Sequence, residues 1–237
     1  MTPFLTAALI DDGTVSLVSL RLKQSRFSIK HHRIAAIHQI SWRKYKTQLC
    51  LIIPSQFVHL KTLTDAPQEA PQRAAAFQDT QTLPTLGTQQ VSGHESAIEK
   101  LTEQLPIAPK VLEPAPQAWV RCTNYLLPSL SRYAVSQHPI TEWIILCKEQ
   151  QRYILLRVKH GILVSLHSLA RLEAVRFDHA CAMILSYLDN HEDSQVKQQL
   201  LGSDTLWFNI GTTSALFKHI TPLLFGAALR GFFPWRG

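Results

Sequence analysis

No run of apolar residues in this sequence approaches the ~18 to 20 that span a bilayer, and the N-terminus lacks a basic segment followed by an apolar core. Neither a membrane-spanning helix nor a secretory leader is expected. The cysteines are few and scattered: Cys50, Cys122, Cys147 and Cys181 each sit inside an apolar run. No CxxC or Cys/His ligand spacing is formed, which excludes a zinc module and leaves buried free thiols in a reducing, cytoplasmic compartment. Walker-type glycine loops are absent, and no Ser/His/Asp or Cys/His nucleophile arrangement is suggested by spacing. The pair His31 and His32 with His38 has no metal-like partner set and reads as exposed strand residues. Aromatics make up only 8% of the chain, too few to suggest a base-stacking surface. Net charge is +7, yet the basic residues form only short clusters at Lys23 to Arg33 and Arg43 to Lys46, so nucleic acid is not the expected partner. Acidic headgroups or an acidic protein suit that charge equally well.

What is present is globular: 46% hydrophobic and 17% charged residues over 237 positions, enough for one large domain or two with real cores. The most informative stretch runs from Phe4 to Leu20, where a strand ends in Asp11-Asp12-Gly13-Thr14 and a second strand leaves. Val15 to Leu22 alternates partly with period two, and Arg26 to Lys30 follows after Lys23-Gln24-Ser25, giving a three-stranded antiparallel meander. Gln48 to Ile53 is a continuous apolar run closed by Pro54, as expected of a strand buried on both faces, and Phe57 to Leu63 is a further strand.

Composition then shifts. Thr64 to Gly93 is rich in Gln, Ala, Pro and Thr and reads as a linker or small excursion. A helix over Ser96 to Gln104 follows, with Ile98, Leu101 and Leu105 on one face and Pro106 and Pro109 beyond it. Lys110 to Pro114 reads as a short strand, and Pro116 sits at the start of a helix over Gln117 to Tyr133. The second half repeats the meander: Glu142 to Cys147, a polar break at Lys148 to Gln151, Arg152 to Val158, a turn at Lys159 to Gly161, then Ile162 to Leu169. Helices are expected over Arg171 to Asp189, Gln195 to Leu201 and Thr213 to Leu229 apart from Pro222, with a strand over Thr205 to Gly211. One meander occurring twice, each followed later by helix, is the coarse pattern of a duplicated α/β fold.

Four segments carry a resemblance. Ile10 to Leu20 resembles an Asp-x-Gly-Thr phosphate hairpin followed by Val-x-Leu-Val-x-Leu, and Cys50 to Leu63 an apolar strand, Pro-Ser turn and next strand. Val111 to Ala118 and Leu224 to Gly231 are similar to the family's proline-rich strand-to-helix passage and its closing Gly-Leu-Ala-Leu-Arg-Gly helix end. Together they resemble the actin-like platform proteins of type IV pilus and type II secretion systems, the PilM-like proteins and the cytoplasmic domain of GspL-like proteins. The resemblance implies a two-lobed actin-like (ribonuclease H-like, duplicated) α/β fold, with mixed sheets flanked by helices. Its lobes are expected over residues 1–136 and 137–237, with 64–93 as the linker or excursion.

It also implies a role: a non-enzymatic cytoplasmic scaffold, peripheral at the inner membrane, linking an inner-membrane platform protein to the secretion or pilus assembly ATPase, with a homodimer compatible. ATP with Mg is the alternative ligand. For it the resemblance assigns Asp11, Asp12, Gly13 and Thr14 to phosphate and metal and Gly211, or Gly202, to the base side. The sequence departs from the family in its opening turn, one residue shorter, and in the second meander, where Cys147-Lys148-Glu149-Gln150-Gln151 lacks the family's aspartate and glycine. Glycine matters there because backbone amides must approach phosphate without a Cβ in the way. The family's insertion in the second half is expected to be lost.

Plainer readings accompany these. Asp-Gly is the standard signal of a two-residue hairpin turn. Lys148 reads either as a phosphate contact or as a charge in a solvated turn, and Trp42-Arg43-Lys44-Tyr45-Lys46 as a solvated loop. The tail residues Phe232, Phe233, Trp235 and Arg236 suit an interface with protein or lipid headgroups, or a tail folded back on the core.

Overall fold

A computed structural model describes residues 5–23, 26–62, 80–82, 89–130, 141–171, 183–199, 205–210, 217 and 220–232. In the first half, β1 (Thr6–Asp11), β2 (Thr14–Lys23) and β3 (Arg26–Ala36) form the meander, β4 (Leu49–Ile53) lies parallel to β1, and β8 (Val111–Pro114) lies parallel to β4. The resulting sheet has the order β3-β2-β1-β4-β8. The second half repeats it. Strands β9 (Glu142–Glu149), β10 (Arg152–Lys159), β11 (Ile162–Leu169), β12 (Met183–Ser186) and β13 (Leu206–Asn209) give the order β11-β10-β9-β12-β13 with the same senses. Even the irregularities correspond: each meander slips register once between its second and third strands, at Ser19/Leu20 and at Arg157/Val158.

The central strands β1, β4, β9 and β12 are buried on both faces, which explains their near-continuous apolar runs. Ala7, Ile52, Ile145 and Cys147 face the shared interior, while their neighbours Ala8, Leu51, Ile53, Ile144 and Leu146 face outward into two separate clusters. The outer face of the first sheet is covered by α1 (Glu95–Glu103), through Ile98 and Leu101, and by Leu105 just beyond it. α3 (Asn190–Gln199) covers the other outer face through Val196; Asp189 caps it, its Oδ1 accepting from the amides of His191 and Glu192 at 3.0 and 2.9 Å.

Between the sheets lie α2 (Ala115–Leu130) and α4 (Pro222–Leu229). α4 comes from the second half and packs on β1, β2 and β4 of the first, whereas α2 comes from the first half and reaches β11 of the second. The two helices meet at Gly226, where a Cβ would stand 1.9 Å from the carbonyl oxygen of Ala118. The same crossing carries the most buried charges. Glu113 at the end of β8 is fully buried, pairs with Arg121 of α2 at 2.5 Å and also with Arg230, and Arg121 donates to the Gly226 carbonyl at 3.2 Å.

Several sequence expectations need correction. The helix expected over Arg171 to Asp189 does not hold at Met183–Ser186, which is a fully buried strand between β9 and β13; residues 172–182 lie outside the described residues. Trp42 and Tyr45 are buried in a 3-10 turn against the first sheet rather than solvated, with the indole N–H donating to the Ile37 carbonyl at 2.8 Å. Within 64–93, β6 (Thr80–Thr82) and β7 (Gln89–His94) join β5 (Val58–Thr62) in a sheet ordered β5-β7-β6. Pro222 starts a helix rather than interrupting one: Thr221 caps it by accepting from the Leu224 amide at 3.3 Å. Cys50, Cys122 and Cys147 are buried free thiols whose pKa burial pushes up, and Cys181 lies outside the described residues. No helix among the described residues is long and apolar enough to cross a membrane.

Candidate functional site at the facing hairpin turns

In open sheets of this kind the ligand crevice lies beyond the carboxyl ends of the parallel strands. Here those ends are Asp11 and Ile53 in the first sheet and Glu149 and Ser186 in the second. Asp11 pairs with Thr14 across its turn and Glu149 with Arg152 across the other, so the two acidic residues hold equivalent positions in the repeat.

The first turn is an exposed two-residue turn. Asp12 and Gly13 have φ of 42° and 72°, the pair of positive angles of a type I′ turn. A Cβ on Gly13 would meet nothing within 4 Å, so glycine is demanded here by backbone angle and not by crowding. Thr14 Oγ1 donates to the Asp11 carbonyl at 2.6 Å, and the Gly13 carbonyl accepts from the Ile37 amide at 3.2 Å. Asp11, Asp12, Gly13 and Thr14 are thus together and exposed.

The second turn reaches across to the first lobe. One carboxylate oxygen of Glu149 accepts from the Ser55 amide at 2.8 Å; the other accepts from Ser55 Oγ at 2.7 Å and from Trp119 Nε1 at 2.8 Å. Ser55 follows β4 and Pro54, Trp119 lies on α2, and Gln56 Nε2 donates to Gln150 Oε1 at 3.2 Å beside them. Glu149 is half-buried at the hairpin end, and its carboxyl group is withdrawn from water. Burial raises its pKa above the usual glutamate value, against the lowering effect of the three donors. Trp119 is backed by Tyr187, ring centroids 5.0 Å apart, and Tyr187 exchanges a 3.2 Å hydrogen bond with Thr123.

Lys148 turns outward from this contact. Its ammonium bonds Glu192 of α3 at 2.5 Å and lies 5.2 Å from the Tyr153 ring centre, and that pairing raises its pKa. Next to Ser55 an open groove of about 650 Å³ runs between Ser55 to Leu60 on one side and Arg152, Leu166 and Ser168 on the other. Arg152 is fixed in its wall by Ser168, whose Oγ and carbonyl accept at 2.6 and 3.2 Å.

Gly202 and Gly211 lie outside the described residues, as do Phe233, Trp235 and Arg236. Phe232 is half-buried and packs edge-on against Phe27, centroids 4.8 Å apart. Ser55, Trp119 and Glu149 were not singled out as a site by sequence reasoning. Ser55 and Glu149 are 94 positions apart, and no periodicity or motif links them.

The duplicated sheets, their crossed helices and the crevice between two equivalent hairpin turns define an actin-like ATPase fold. Among solved structures, the PilM-PilN type IV pilus biogenesis complex is similar at a TM-score of 0.59 and 13% identity, covering 98% of this chain and 99% of that one. A Bacteroides thetaiotaomicron protein with actin-like ATPase fold and unknown function is similar at a TM-score of 0.58 and 9% identity, covering 94% and 96%. No protein-family model matches the sequence, and no curated protein matches it.

Proposed function

We propose that this chain is a non-enzymatic scaffold of a type IV pilus or type II secretion assembly platform. In that role it sits at the cytoplasmic face of the inner membrane and links a membrane partner to the assembly ATPase. The observation that carries this reading is the Glu149 carboxylate bound by Ser55 and Trp119. Both carboxyl oxygens are taken up inside the protein instead of facing the crevice, and the turn beside them, Gln150-Gln151, has no glycine to let backbone amides approach a phosphate. These two features support a site that has lost its nucleotide, with the first turn serving as an ordinary hairpin. The likeness to the PilM-PilN type IV pilus biogenesis complex, over 98% of this chain and 99% of that one, supports a pilus-type machine and a protein partner within it.

Isothermal titration with Mg-ATP tests the nucleotide half of this reading. No binding is expected; binding that is abolished by Asp11→Ala together with Asp12→Ala would replace the scaffold with an actin-like nucleotide binder. Pull-down of this chain with a pilus or secretion assembly ATPase and with an inner-membrane platform protein tests the other half; retention of at least one is expected, and retention of neither would overturn it.

A further inference from the structure

The excursion sheet holds a feature that the scaffold role does not use. In β5 the alternation turns Val58 inward and His59 out to solvent. His59 sits opposite Ser92 of β7, so the residue two further along, His94, lies diagonally across on the same face. The two exposed imidazoles converge end to end: Nε2 to Nε2 is 2.6 Å, ring centroids are 4.5 Å apart, and the rings stand at 79°.

The two ring nitrogens share a hydrogen bond across adjacent strands, and a metal ion that replaced the shared proton would find both as donors. Zinc–nitrogen bonds of about 2.0–2.1 Å place two ligating nitrogens roughly 3.0 to 3.4 Å apart, depending on the angle at the metal. The pair here needs to open by less than an ångström, and both side chains are exposed enough to do so by small torsions. We propose that His59 and His94 form a two-imidazole site for a divalent transition-metal ion, with water completing the coordination. Imidazole pairs of this kind select zinc and its neighbours over the oxygen-preferring magnesium and calcium. A bound ion would staple β5 to the residue that opens α1, closing the 35-position excursion at its neck. An ion that binds the folded chain and not the unfolded one stabilises the fold.

Titration of the full chain with Zn²⁺ in a non-chelating buffer tests this. One ion per chain is expected, with no heat from Mg²⁺, a higher unfolding midpoint in zinc, and loss of both effects in His59→Gln and in His94→Gln. Because both side chains are exposed, the variants should keep the wild-type circular dichroism spectrum and midpoint without metal. Absence of zinc binding by the wild-type chain, or undiminished binding by the double variant through others of its 11 histidines, would overturn the assignment.

Discussion

A glutamate whose carboxyl group is withdrawn from water is held against its own preference for solvation, and Glu149 is such a group. Because its folded pKa is raised, its contribution to stability is full below the ordinary glutamate value of about 4.3 and is lost as pH rises through the folded value. Glu149→Gln keeps an acceptor for the Ser55 amide but does not titrate. Thermal midpoints measured across acidic to neutral pH should therefore show the variant gaining on the wild-type chain as pH rises. A gap that moves the other way would mean that the three donors outweigh burial. Glu113 is the contrasting case, since it answers two arginines inside the protein. Glu113→Gln leaves Arg121, only 7% exposed, without its carboxylate, and should cost about 3–5 kcal/mol in urea denaturation.

At the scale of elements, the α2–α4 crossing is set by what is missing at Gly226. Its added Cβ would strike backbone atoms of Ala118, which cannot rotate aside. Gly226→Ala should destabilise the chain by about 1–3 kcal/mol or more by prising the helices apart, measurable as a lowered unfolding midpoint. The elements themselves were largely legible. The meander strands showed in the period-two stretches, the β4 run showed its two buried faces, and the α1 stripe of Ile98, Leu101 and Leu105 showed its helical period. Met183–Ser186 was misread because four consecutive apolar or small residues fit a buried strand and a buried helix turn equally well. Trp42 was misread because its basic neighbours Arg43 and Lys44 mask a side chain that anchors to Ile37. The opening turn could be read because its signal is local. The Glu149 contact could not, because it is made by residues brought together only by the fold.

For the molecule as a whole, two of the contacts that join the lobes differ in kind. One is the apolar helix pair at the centre; another is the polar contact of Glu149 at the rim of the cleft. Removing the second should leave the chain folded while loosening the lobes. Ser55→Ala combined with Trp119→Phe should retain the wild-type circular dichroism spectrum, yet show a larger radius of gyration by small-angle scattering and faster proteolysis near the cleft. Unchanged dimensions would show that the Glu149 contact does not set how the lobes sit.

The crossing of α4 onto the first sheet also bears on synthesis. A ribosome delivers β1, β2 and β4 early, but the helix that covers their inner face is not made until residues 222–229. Until then Ala7, Val18, Leu20 and Ile52 have no partner from α4 and present an apolar surface to the cell. Over most of translation, therefore, this surface lacks its α4 cover. A fragment of residues 1–130 should accumulate in inclusion bodies or bind a hydrophobic dye, and should be rescued by supplying the second half in trans.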